Sequence, residues 1–235
     1  MTLIAYHGRQ ADKDTILAQL AIHRAADELV QGYGYWEDGK GCAVGCTLHS
    51  GDHMEYETRF GIPVAIARLE DVIFEGLPVD IARQWPERLM SAIRPGADLS
   101  RVHWHLLHWL LTTPEINPGI THPLVSASVR KCADVVADWA AGRAASAASW
   151  AASCAARSAA RSAADSAAWS AETAASCAAR SVCGAADSAA ESAAESAAAS
   201  AKSAAASAAR NAAWLCISDR LIALIEQAPS AHAPA

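Results

Sequence analysis

Four side chains that bind metals or act as nucleophiles and bases stand within twelve positions: Cys42, Cys46, His49 and His53, spaced Cys-x3-Cys-x2-His-x3-His. Thiolate and imidazole are zinc ligands, so the cluster reads first as a metal site with zinc as its ion. The spacing works against that reading. Structural zinc sites draw two ligand pairs from separate elements, usually about 12 or more residues apart. Here two residues separate the pairs. On one helix the four would share a face with their ends about 16 Å apart, so a single ion could take two of them. A bent loop, or completion by His7, His23 or His122, would be needed. The competing reading is packed thiols with histidines hydrogen-bonded at a loop edge, and on it no cofactor is expected.

Two further chemistries overlap this segment. Gly39, Lys40, Gly41 and Gly45 could present backbone N–H groups to an anion where a glycine loop enters a helix, although the Walker spacing of Gly-x4-Gly-Lys-Ser/Thr is absent. A tight turn with close backbone packing explains the same glycines. Cys42, preceded by Lys40 at a helix start, could carry a lowered pKa and act as a nucleophile. Its base must come from elsewhere, because His49 would lie about 10 Å up the same helix. His23 held by Asp27 is the candidate, with His7 and His122 behind it. His105 and His108 are i,i+3 neighbours able to chelate, but their helix is apolar enough that core or interface histidines fit better.

The chain of 235 residues has a formal net charge of -6, which argues against non-specific nucleic-acid binding. No apolar leader opens the sequence. No charge-free run of about 20 apolar residues occurs outside the alanine-rich region, so a cytoplasmic protein with no membrane span is expected. Seven cysteines, an odd number, suit reduced thiols better than a disulfide frame.

The elements that must position these residues are helical. Residues 12–31 read as a helix capped by Asp12 or Asp14, with Ile22, Ala25, Ala26 and Leu29 as its stripe, Arg24 facing Glu28 and His23 facing Asp27. Residues 32–61 read as an irregular polar loop with one short helix over 42–49. Pro63 opens a helix with Ile62, Ile66, Leu69, Val72 and Ile73 inward and Arg68, Glu70, Asp71 and Glu75 outward, closed by Gly76 and Pro78. A broken helix over 79–93 is interrupted near Pro86. Asp98 caps a helix holding Val102, Trp104, Leu106, Leu107 and Trp109 to Leu111, and Pro123 starts the next.

From about 143 to 213 the chain is an alanine/serine array, clearest as Ser-Ala-Ala-x in Ser158 to Trp169 and Ser188 to Glu195. Alanine has the highest helix propensity. A period of four drifts about 40° per repeat, so the serine stripe winds around the helix and every side offers small residues for close packing. Long helices folded back at Gly142 or Gly184 are expected, with Trp139, Trp150, Trp169 and Trp214 setting register. The segment from Trp214 is amphipathic and should dock on the globular part, leaving 229–235 as a disordered tail.

Tyr35-Trp36-Glu-Asp-Gly39-Lys40-Gly41-Cys42-Ala-Val-Gly45-Cys46-Thr-Leu-His49, with Tyr56-Glu57, Gly61-Ile62-Pro63, Arg68-Leu69-Glu70-Asp71 and Phe74-Glu75-Gly76-Leu77-Pro78, resembles a group of proteins of no assigned activity encoded in phages and prophage-bearing bacteria. The resemblance covers residues 20–95 and the array behind them. It implies a phage or prophage accessory role, and no activity, cofactor or catalytic residue.

The expectation is an all-α protein with a globular helical domain over 1–125 and an alanine-rich helical region over 126–228, the latter folded back as a bundle. Its expected function is non-enzymatic binding, through a protein partner or self-association of the alanine-rich helices. The alternative is a small metal- or cysteine-dependent hydrolase centred on 36–53.

Overall fold

The computed structural model describes residues 3–116, 121, 126–143 and 188–231, and only the backbone of residues 128, 132 and 188–206. Most of the array, with Gly184, Trp150 and Trp169, and also His122, lies outside the described residues. The described chain is all-α: α1 (Gln10–Ala25), α2 (Ala43–Leu48), α3 (Glu55–Phe60), α4 (Val64–Gly76), α5 (Val79–Ala82), α6 (Trp85–Ala92), α7 (Val102–Thr112), α8 (Ser126–Ala140) and α9 (Ser188–Glu226). Among the described residues no helix is long and apolar enough to cross a membrane.

The chain divides into two compact units. One comprises residues 1–106, 140–142 and 214–235; the other comprises 107–139 and 143–213. In the second unit α8 buries Val129, Ala133 and Val136, an i, i+4, i+7 face. α9 is a single helix of 39 residues with neither glycine nor proline between its ends. From Ser188 onward the array therefore runs without a break into the Trp214 segment. α8 ends where Gly142 takes a φ of 74°, one of the two turns expected from the sequence.

In the first unit α1 packs on α2 and α6, and α4 packs on α2, α3 and α6. α1 stops at Ala25, short of the expected residue 31, because Asp27 adopts a left-handed φ of 54° and the Glu28 N–H bonds to the His23 carbonyl. Its buried face is Ile16, Leu20 and His23, while Ile22 is exposed. The expected surface pairs change with it: Arg24 meets Glu87, Asp27 meets Arg83, and His23 meets Glu28.

Three chain segments far apart in sequence close this unit. Ala5 bonds to the turn at 96–97 through Ala5 N–H to Ala97 O (3.0 Å) and Gly96 N–H to Ala5 O (2.8 Å). Residues 229–231, expected as the start of a disordered tail, pair instead with 96–98, through Asp98 N–H to Pro229 O and Ala231 N–H to Gly96 O, both 2.8 Å. The Trp214 segment docks as expected: a side chain on Gly76 would meet the Trp214 ring at 2.1 Å. Gly76 therefore makes room for an indole, and the helix stop is supplied by Leu77 and Pro78.

α4 holds the largest departure from the binary pattern. Glu70, expected on the wet face, is fully buried beside Ile66, Ala67, Ile73 and Phe74. The Tyr56 hydroxyl donates to its Oε2, the Trp85 indole N–H donates to its backbone carbonyl at 3.1 Å, and its Oε1 has no partner. Burial pushes this carboxyl up to about 8, so near neutrality it is held largely as the acid. Between the ordinary value and about 8 the folded state binds the extra proton, so stability falls as pH rises through that window. We expect Glu70→Gln to flatten this decline between pH 5 and 8 in denaturant titrations and to add about 3 kcal/mol at pH 8. An unchanged pH slope would show that Glu70 is ionised in the fold.

Candidate functional site

The polar segment is built around one backbone carbonyl. After α1 the chain runs extended and bridges Gly41, with Val30 N–H to Gly41 O and Gly41 N–H to Glu28 O both at 3.0 Å. Asp38 and Gly39 have φ of 50° and 78°, and Glu37 and Lys40 exchange bonds of 2.9 Å across them. This is the two-residue hairpin turn that an Asp-Gly pair favours. The hairpin folds Tyr35 against α2. A side-chain carbon on Gly41 would stand 2.0 Å from the Tyr35 carbonyl oxygen, one on Gly45 1.2 Å from it, and one on Gly51 2.8 Å from the Tyr35 ring. Of the three glycines proposed as an anion cradle, Gly41 and Gly45 serve as sockets for Tyr35, and Gly39 takes the positive φ of the turn. The Lys40, Gly41 and Cys42 N–H groups already bond to Glu37, Glu28 and Gly34 carbonyls, and the Gly45 N–H bonds to the Cys42 sulfur. At Lys40, Gly41 and Gly45, three of the four positions expected to hold an anion, the N–H groups are therefore already engaged within the fold.

The four expected metal ligands point to separate partners. The Cys42 thiol caps α2 and lies against Asp71. Cys46 Sγ donates to the Glu28 and Gly41 carbonyls, both at 3.6 Å. His53 Nε2 is 3.7 Å from Asp71, with its ring edge-on to Tyr35. His49 turns to His23. Among the described residues no three His, Cys, Asp or Glu side chains converge as a ligand set. α2 is only six residues long, and His49 leaves it in a left-handed conformation with φ 55°, so the four residues do not share one helix face.

The expected activated thiol is also corrected. Cys42 is 3% exposed, and burial pushes it up to about 12, with Asp71 nearby adding to the rise. The two bonds its sulfur receives from the helix-start N–H groups work the other way without prevailing. Cys46 is likewise pushed up to about 12, by burial and then by the Glu28 carboxylate. A thiol in that range is almost wholly protonated at neutral pH and is a poor nucleophile. Neither does the expected base face Cys42, because His23 is bound on both ring nitrogens elsewhere, and Asp27 pairs with Arg83.

What the fold assembles instead is a carboxylate–imidazole–imidazole chain. Glu28 Oε2 lies 2.5 Å from His23 Nδ1, and His23 Nε2 lies 2.8 Å from His49 Nε2. The Trp36 indole stacks on His49 at 4.2 Å. With Glu28 accepting from Nδ1–H, a neutral His23 accepts at Nε2 from His49, leaving His49 Nδ1 as an outward acceptor. His23 is 7% exposed, while His49 is exposed. Burial, then His23, then the Arg59 guanidinium hold His49 below its ordinary range. Chemically the exposed His49 imidazole is oriented by His23, which Glu28 holds in turn, an arrangement able to present one ring nitrogen to a proton donor.

Sequence reasoning named His23 and His49 but missed Glu28 and Asp71. The signal for Glu28 was Gly32 and Gly34, which were read as the helix stop; an earlier stop at Ala25 replaces Asp27 with Glu28 as the partner of His23.

Gly45→Ala should cost at least about 2–3 kcal/mol, because its new carbon meets a fixed carbonyl rather than a flexible side chain. Gly34→Ala, with nothing within 4 Å of the new carbon, should change stability by less than about 0.5 kcal/mol. Equal effects in thermal unfolding would refute the socket reading. No family model matches the chain, and no curated protein or solved structure matches it.

Proposed function

We propose that this chain is a non-enzymatic binding protein, with its contact face at the Tyr35 hairpin, and that it serves as a phage or prophage accessory factor. The observation that carries the reading is the state of Tyr35: its carbonyl is wedged between Gly41 and Gly45, yet its side chain is 44% exposed. Tyr33 and Met54 are exposed as well. An aromatic fixed by its backbone and open at its ring loses little conformational entropy on contact, which is how tyrosine earns its place at binding hot spots. The inert thiol and the separated metal ligands support the same reading. The partner is a protein, either another chain or a second copy engaging the alanine-rich helices.

The alternative of a small hydrolase rests on one specific observation, the Glu28–His23–His49 chain, with His49 rather than Cys42 as the reacting group. No zinc ion and no cysteine nucleophile is required for it.

A photo-crosslinking amino acid placed at Tyr35 in the full chain, expressed in cells, separates the two. The binding reading expects a discrete crosslinked protein that is absent with the probe at exposed Asp80 and unaffected by Cys42→Ser. No crosslink at position 35, together with ester or amide hydrolysis abolished by His49→Gln, would overturn it in favour of the alternative.

A further inference from the structure

The first unit contains a cavity of about 710 Å3 well away in sequence from the segment described above. Its walls come from the start of α7, the end of α8 and the last turn of α9 with the residues that follow it. The volume lies within the range of small-molecule sites, roughly 300–1,000 Å3. The walls are tied together: residues 229–231 pair with 96–98, and the Arg94 guanidinium donates to the Ala228 carbonyl at 2.5 Å.

The charge lining the cavity opposes that of the chain. Arg101, Arg220 and His105 line it against a single carboxylate, Asp98, in a protein of net charge -6. Asp98 is itself engaged, since its Oδ1 accepts the Ser100 N–H at 2.9 Å. Arg101 has no ion pair among the described residues. Its guanidinium is nonetheless placed: it lies on the backbone of Gly142, where a side-chain carbon would stand 2.3 Å from one of its terminal nitrogens. Gly142 thus turns the chain with its positive φ and leaves the plane of the guanidinium room to lie flat. A guanidinium held in place without a carboxylate partner among the described residues, at a cavity with a second guanidinium in its wall, is matched to a planar or tetrahedral oxyanion.

We propose that this cavity is a binding site for a phosphorylated small molecule, with Arg101 and Arg220 holding the phosphate and the remaining volume taking the body of the ligand. The site is separate from the Tyr35 face, and its occupancy does not depend on the function proposed there.

The test is isothermal titration of the full chain with ATP and with inorganic pyrophosphate, at low and at near-physiological salt. Binding of either probe is expected, weakened by salt. Arg101→Gln should weaken it about tenfold or more, and Arg101→Lys should recover only part, because a point charge lacks the planar fork. Arg101 is exposed, so an unchanged melting temperature checks that the variant folds. Lys40→Gln, in the hairpin turn, should leave affinity as it was. The proposal is overturned by no binding of either probe at millimolar concentration. It is overturned equally by binding that survives Arg101→Gln, or by an equal loss in Lys40→Gln, which would mark general attraction to surface cations.

Discussion

One steric constraint organises the polar segment: the Tyr35 carbonyl occupies space that only glycine leaves at positions 41 and 45. That contact fixes the hairpin on α2. The fixed hairpin in turn places Trp36 over His49, and the bridge between Leu29 and Gly41 holds Glu28 beside His23. A bulkier residue in either socket would displace every group of the site together. Backbone close approach, a property of residues with no functional group, here sets the positions of those that have one.

The electrostatics follow from burial more than from partners. Cys42 and Cys46 sit in an interior that disfavours thiolate, and neighbouring carboxylates reinforce it. Glu70 is treated the same way from the other side, held as an acid among apolar neighbours. At the edge of the segment the exposed His49 imidazole is held below its ordinary range, again by burial first and then by His23 and Arg59. The segment is rich in reactive residue types, yet its fold holds the thiols in their protonated form.

The helical class was legible because alanine, leucine periodicity and the proline and glycine stops all agree. Pro63, Pro78 and Pro86 marked real boundaries. The site was legible as a place but not as a geometry. His23 and His49 were visible as candidates, but their union depends on a helix that ends at Ala25, and nothing local in Ala26-Asp27-Glu28 marks that end. Glu70 was misread because its charge was given more weight than its position: four residues after Ile66 and three before Ile73 it lies on the apolar face, and only the Tyr56 hydroxyl, from another helix, shows how a carboxyl is held there. α3 was missed inside the loop, although Asp52 and Gly61, which accepts a left-handed φ of 63°, bracket it. Gly76 was assigned to the wrong cause, since its reason is an indole more than a hundred residues away.

The pairing of residues 229–231 with 96–98 has a consequence for how the molecule is made. The first compact unit contains residues 1–106 but also 214–235, and its buried set includes Leu221 and Ile225. During synthesis the amino-terminal helices emerge well before the segment that completes their core. At ribosomal rates of about 5–20 residues per second the wait is on the order of ten seconds. For that interval the 96–98 segment lacks its backbone partners in 229–231, and the Arg88 side chain of α6 lacks Asp219. Residues 1–106 therefore pass through a stage in which their core is incomplete, and the arrival of residues 214–231 closes that unit.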